Sequence, residues 1–148
     1  MPRNVYVDAG RLRYVQEVSV GPHRLQADEP SDSGGKDAGP NPYELLLAAL
    51  GTCASITVRM YAERKEWPLQ GVHIGLSYAR VHAEDCAECD IEVRMVDQIE
   101  MEICLVGALS EDQQRRLMEI ANKCPVHRTL TSQIQIRARL TVDNSPPP

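Results

Sequence analysis

The stretch NPYELLLAALGTCASITVRMYAERK, residues 41–65, restricts the possible folds more than any other part of this chain. Asn41 is a good N-cap, Pro42 suits the first helical position because its missing N–H has no intrahelical partner to lose, and Glu44 lies in the first turn near the positive end of the dipole. Leu45, Ala49, Cys53, Ile56 and Met60 recur at intervals of three and four. They predict one sustained apolar face that carries the helix to about Lys65, before Trp67 and Pro68 end it. A helix so long and apolar needs cover, and one chain of 148 residues has only a modest sheet to supply it. A second copy is therefore expected to share the helix, as a homodimer.

The segments around it alternate. Arg11 to Val20 and His23 to Asp28 flank Gly21 and Pro22 and read as a hairpin, and EPSDSGGKDAGPNP, residues 29–42, reads as a mobile loop of the kind that borders sites. Val72, Ile74, Leu76 and Tyr78 form one apolar strand face. Ile91, Val93 and Met95 form a second, and Ile99, Met101, Ile103 and Leu105 a third, as in a half-covered antiparallel sheet. Ser110 and Gln113 make a capping box for a second helix, whose Leu117, Ile120, Ala121 and Cys124 share a face until Pro125 halts it. A last strand places Ile134, Ile136, Ala138 and Leu140 opposite Gln133, Gln135, Arg137 and Arg139. The expectation is an α+β fold, with antiparallel sheets packed around a long central helix plus a second helix. It forms a single domain over residues 1–142, with a disordered Pro-rich tail at 143–148.

Charge and composition narrow the function. With 16 basic against 21 acidic residues and a net charge of −5, the chain repels a phosphate backbone, so no nucleic acid is expected. The start MPRNVYVDAG has no signal-like apolar core, and the longest apolar run falls short of a membrane span, which points to a cytoplasmic protein without a membrane partner. Five cysteines without dense spacing read, in a reducing compartment, as free, catalytic or metal-bound thiols.

Cys53 and Cys124 both fall on core-facing positions. Each alone reads as a small buried hydrophobe; together they also fit a redox pair. A thiolate at Cys53, in mid-helix, needs a cation from elsewhere, and His127 and Arg128 follow Cys124 closely. Cys86 and Cys89, with His82 four residues earlier, have metal-like spacing but no second pair of ligands, so they read as hairpin-loop thiols. Cys104 and His73 alternate onto solvent-facing strand positions.

GPNPYELLLAALGTCASITVRMYAERKEWPL together with ANKCPVHRTL resembles the OsmC family of osmotically inducible and organic hydroperoxide resistance proteins, over residues 20 to 142. The resemblance implies an intertwined dimer and an oxidative-stress peroxidase that reduces organic hydroperoxides with paired cysteines, Cys53 peroxidatic and Cys124 resolving. An external dithiol would then reduce the disulfide, with no metal, flavin or haem. The activating arginine would come from the N-terminal strands, with Arg24 first and Arg13 second. The family's glutamate usually follows the proline of the Asn-Pro pair directly; here Tyr43 holds that place and Glu44 comes next, about 100° further round the helix. Two other classes remain: a binding module for an apolar ligand without peroxidase turnover, and a metal-binding protein using Cys86 and Cys89.

Overall fold

The computed structural model describes residues 3–82 and 95–141. These fall into two compact units: the chain up to Leu45 with the segment from Gln135, and Leu46–Ile134. The fold is α+β, and the described residues form two antiparallel sheets and three α-helices.

In the first unit, β1 (Tyr6–Ala9), β2 (Gln16–Val20) and β3 (His23–Ala27) form a sheet in that order. Val20 pairs with His23 across Gly21-Pro22. Gly21 has φ +56°, and Gly followed by a residue of fixed negative φ is the order that a tight type II′ turn requires. The expected hairpin therefore forms, but its first strand is shorter than the alternation suggests. The Val15 N–H donates to the Leu12 carbonyl and Arg13 turns to φ +43°, so extended pairing begins only at Gln16. Tyr6–Ala9, too short to announce itself by periodicity, adds the third strand.

The loop after β3 is organised by one carboxylate. Asp28, 2% exposed, accepts the N–H groups of Glu29, Lys36 and Ala38 at 2.8, 3.0 and 3.2 Å. Burial alone would raise its pKa. The three amides, with the Lys36 charge, outweigh burial and hold the carboxyl below its ordinary 3.8. Gly39 lets the loop close onto β3, since a Cβ there would overlap the Gln26 carbonyl.

α1 (Pro42–Arg64) starts on a full capping box: the Asn41 side chain accepts the Glu44 N–H at 2.9 Å, and the Glu44 carboxylate accepts the Asn41 N–H at 3.2 Å. Such a cap contributes about 1 kcal/mol. In the second unit α1 packs with β4 (Leu69–His82), β5 (Met95–Gly107), α2 (Glu111–Ala121) and α3 (Pro125–Leu130). Its buried stripe is Leu50, Ala54, Val58 and Ala62, closed by Leu117 and Ala121. Full burial of a side chain such as Leu117 or Val58 stabilises by roughly 1.5–3 kcal/mol. Gly51 lets the hairpin approach, because a Cβ there would meet Leu76 Cδ1 at 2.7 Å.

This stripe is rotated from the expected one. Ile56 and Met60 are 59% and 64% exposed, and Ala49 is exposed too. The helix is apolar on more than one side, so spacing alone identifies two candidate faces and not which of them this chain covers. α1 is also long and apolar enough to cross a membrane by length and composition, contrary to the expectation that no run reaches that size. One stripe of it packs against β4, β5 and α2.

β4 and β5 pair antiparallel, with Val72 facing Leu105, Ile74 facing Ile103 and Leu76 facing Met101. Met95 and the Ile99–Leu105 run, which the pattern assigns to separate strands, belong to one; the intervening Asp97 accepts the Tyr78 hydroxyl at 2.7 Å without interrupting the ladder. Ile91 and Val93 lie outside the described residues. The expected last strand is not formed: residues 133–141 have no regular structure and are exposed, Ile136 at 88% and Leu140 at 93%. Alternation marks a segment able to pair, but the described residues give it no ladder.

Because Asp28 has a lowered folded pKa, its contribution is complete above the unfolded carboxylate value and disappears as pH falls through the folded one. Thermal melts of Asp28→Asn between neutral pH and strong acid should show lower stability than wild type at neutral pH, and a gap that narrows on acidification.

Candidate functional site

α2 ends at Ala121, Asn122 closes it in helical geometry, and the chain then restarts a helix. Cys124 does not end α2, as its spacing suggested, but is the N-cap of α3, with φ −63° and ψ 151°. Pro125 enforces this, since the residue before a proline favours extended ψ and proline itself is at ease at the first helical position. The Cys124 side chain points inward as expected and is fully buried.

The first turn of α3 accounts for the sulfur geometry. A helix start leaves backbone N–H groups without helical partners. Pro125 has none to satisfy. The Val126 N–H donates to Cys53 Sγ at 3.5 Å, the His127 N–H donates to Cys124 Sγ at 3.4 Å, and the Arg128 N–H takes the first helical bond, to the Cys124 carbonyl at 3.1 Å. Two sulfurs from distant parts of the chain thus occupy positions where a serine or asparagine oxygen would usually stand. Sulfur accepts weakly when neutral, and such donors hold an anionic acceptor more strongly.

The two cysteines differ in setting. Cys53 is half-buried on α1 beside the Leu50–Ala54 stripe, whereas Cys124 has no exposed surface. Burial pushes the Cys124 thiol pKa up. The His127 and Val126 amides pull against this and the neighbouring Cys53 sulfur adds to it, with a net rise. The donors that reach the sulfurs are backbone amides rather than the His127 and Arg128 side chains that the sequence suggested as cations. A cysteine immediately before a proline was the available sign of such a cap.

The other sequence candidates sit as follows. Arg24, exposed on β3, donates to the carbonyls of Gly21 and His23 at 2.7 and 2.9 Å. Arg13 lies over the Tyr14 ring, 5.0 Å from its centroid. The Glu44 carboxylate serves the helix cap, and nine residues along one helix place it about 180° round from Cys53 and roughly 13 Å away along the axis. Cys104 and His73 face each other on the exposed side of the hairpin. Cys86 and Cys89 lie outside the described residues, and among the described residues no group of three His, Cys, Asp or Glu side chains is placed to hold a metal. Tyr61, which the periodicity did not single out, accepts from Arg116 Nε at 3.0 Å and meets Trp67 edge to face near the far end of α1.

A cavity of about 350 Å³ lies in the same unit. Leu50, Ile99, Met101 and Leu130 give it an apolar lining, and Asp97, Asn122, His127 and Thr131 a polar one. Two of its lining residues adjoin the cysteines in sequence or by hydrogen bond: Leu50 precedes Cys53 by one turn of α1, and the His127 N–H donates to Cys124 Sγ.

A long helix backed by a two-stranded hairpin, with a cysteine in mid-helix meeting a Cys-Pro helix start, coincides with a family match. The family model described as OsmC-like protein matches residues 34–139. The chain belongs to this OsmC-like family. Among solved structures, an organic hydroperoxide resistance protein OsmC from Legionella pneumophila is similar at 18% identity, with 88% of this chain and 90% of that chain covered and a TM-score of 0.64. An OsmC-like protein from Mycoplasma pneumoniae is similar at 16% identity, over 88% and 87% of the two chains, with a TM-score of 0.69. The organic hydroperoxide resistance protein OhrB of Bacillus subtilis is similar at 15% identity, over 88% and 91%, with a TM-score of 0.59. No curated protein matches the sequence. At these identities the likeness establishes the OsmC-like fold.

Exposure and burial rank the thiols for a small alkylating reagent. Iodoacetamide at neutral pH should label exposed Cys104 readily and Cys124 slowest among Cys53, Cys104 and Cys124, as followed by peptide mass spectrometry. Equal labelling of Cys124 and Cys104 would contradict the burial described above.

Proposed function

We propose that the protein is a cysteine-based thiol peroxidase that reduces organic hydroperoxides in oxidative-stress defence, with Cys53 the peroxidatic and Cys124 the resolving residue. The observation that carries the reading is the meeting of the two sulfurs on one helix turn, although 71 residues separate them in sequence. The half-buried Cys53 is the thiol a peroxide can reach. Cys124, buried and with its pKa raised, keeps its proton until a sulfenic acid forms beside it. The Cys53 thiolate attacks the terminal peroxide oxygen, the O–O bond breaks, and an alcohol leaves. The Cys124 thiol then displaces water from the sulfenic acid, and an external dithiol of the cytoplasm reduces the disulfide.

In this reading Arg24 is the candidate activating cation, and Glu44 acts through the start of α1, which it caps. The chemistry calls for no metal or organic cofactor. The names of the Legionella and Bacillus relatives, both organic hydroperoxide resistance proteins, agree with this substrate class. The cavity beside the pair favours one alternative, an OsmC-like module that holds an apolar ligand without turnover.

One equivalent of cumene hydroperoxide should produce a Cys53–Cys124 disulfide in the wild type. Cys53→Ser should abolish peroxide consumption, and Cys124→Ser should complete one turnover and stall at sulfenic acid, trapped with dimedone. Consumption by Cys53→Ser at the wild-type rate would leave the binding module as the better account.

We further propose a homodimer. Ile56 and Met60 on α1 are exposed in the single chain, as are Ile134, Ile136 and Leu140 beyond α3. Covering them removes apolar surface from water at about 25 cal/mol per Å². Light scattering at micromolar concentration should give twice the mass of the chain, 16.5 kDa, and Met60→Lys should weaken the association.

A further inference from the structure

We propose that His127 is the proton donor to the departing alcoholate, and that the body of the hydroperoxide lies in the cavity lined by Leu50, Met101 and Leu130; the inference rests on the peroxidase reading above. Cleavage of a hydroperoxide by a thiolate creates a localised charge on the leaving oxygen. An alcoholate is a poor leaving group in an apolar site unless a proton reaches it as the O–O bond lengthens. Cys124 is badly suited to that task, because its proton must remain for the resolving step and its burial leaves it no open path to a substrate.

His127 is placed for it. It lines the cavity, while its backbone N–H is fixed on Cys124 Sγ and the preceding N–H on Cys53 Sγ. In this proposal the carbon body lies against Leu50, Met101 and Leu130, the peroxide group extends past Leu50 towards Cys53, one turn further along α1, and the inner oxygen stays on the polar side that includes His127. The other titratable residue that lines the cavity is Asp97 of β5, whose carboxylate accepts the Tyr78 hydroxyl at 2.7 Å and pairs with Arg80 Nε at 3.4 Å. α1 contributes the apolar Leu50, the α2 end contributes the neutral Asn122, and on α3 itself Arg128 is exposed.

The step balances as follows. The Cys53 thiolate forms the S–O bond with the terminal oxygen, the O–O bond breaks, and the inner oxygen takes its proton from the His127 imidazolium. The products are the Cys53 sulfenic acid, an alcohol and neutral His127, which regains its proton from water. Chemically, the substrate class is that of hydroperoxides whose leaving group is a basic alcoholate on a compact apolar body.

The test compares leaving groups. Cumene hydroperoxide releases a basic alcoholate, whereas peroxyacetic acid releases acetate, which leaves as the anion without a proton. In single-turnover measurements of Cys53 oxidation, His127→Gln should slow the reaction with cumene hydroperoxide by roughly 10²-fold or more and leave the reaction with peroxyacetic acid near the wild-type rate. The ratio of the two rates on one sample cancels any loss of folded protein, and His127→Asn provides a second variant. Equal slowing with both oxidants, or no slowing with either, would overturn the proposal. A wild-type protein whose Cys53 reacts with neither oxidant would instead remove the peroxidase reading, and this inference with it.

Discussion

The structure depends on how a helix that is apolar on several sides finds cover. Within the chain, α1 gives the Leu50, Ala54, Val58 and Ala62 stripe to the β4–β5 hairpin and α2, and the inner faces of the strands supply the opposing Val72, Ile74 and Leu76. Everything chemical follows from that choice. Once the stripe faces inward, Cys53 falls at its edge, half-buried, where it can meet both a segment from another part of the core and a solute. A rotation of α1 by one position would carry the sulfur about 100° round the helix and away from α3.

The second dependence is on the backbone between α2 and α3. Two cysteines that meet are usually discussed through side chains, but here the geometry is set by peptide groups. Pro125 fixes where the new helix begins, and the two amides that follow have no helical partners, so each takes a sulfur. The same bonds that complete the hydrogen-bond account of α3 bring Cys53 and Cys124 together, so local folding and assembly of the site are one event.

Much of this was legible in the sequence, for reasons that differ by element. Asn41, Pro42 and Glu44 announce the start of α1 because capping is local chemistry, and Ser110 with Gln113 announces α2 in the same way. The strand faces of Val72–Tyr78 and Ile99–Leu105 follow from period-two alternation against a one-sided core. The buried side of α1 did not follow, since Ile56 and Met60 satisfy the same spacing as Leu50 and Ala54. The strand at Ile134–Leu140 failed for a related reason: pairing is a relation between two segments, and a pattern describes only one. At the site, both cysteines and their inward placement were legible. Backbone donors were not, because an amide is present at every residue and only its missing partner makes it significant.

Gly51 shows how the approach of helix and sheet depends on an atom that is not there. Two residues before Cys53, it lets Leu76 of β4 press to within a distance that a methyl group would occupy. A side chain at this position would have to displace the terminal methyl of Leu76. The close seating of helix on sheet two residues before Cys53 thus rests on a missing side chain, and a helix penalty of about 1 kcal/mol for glycine is the cost of keeping it.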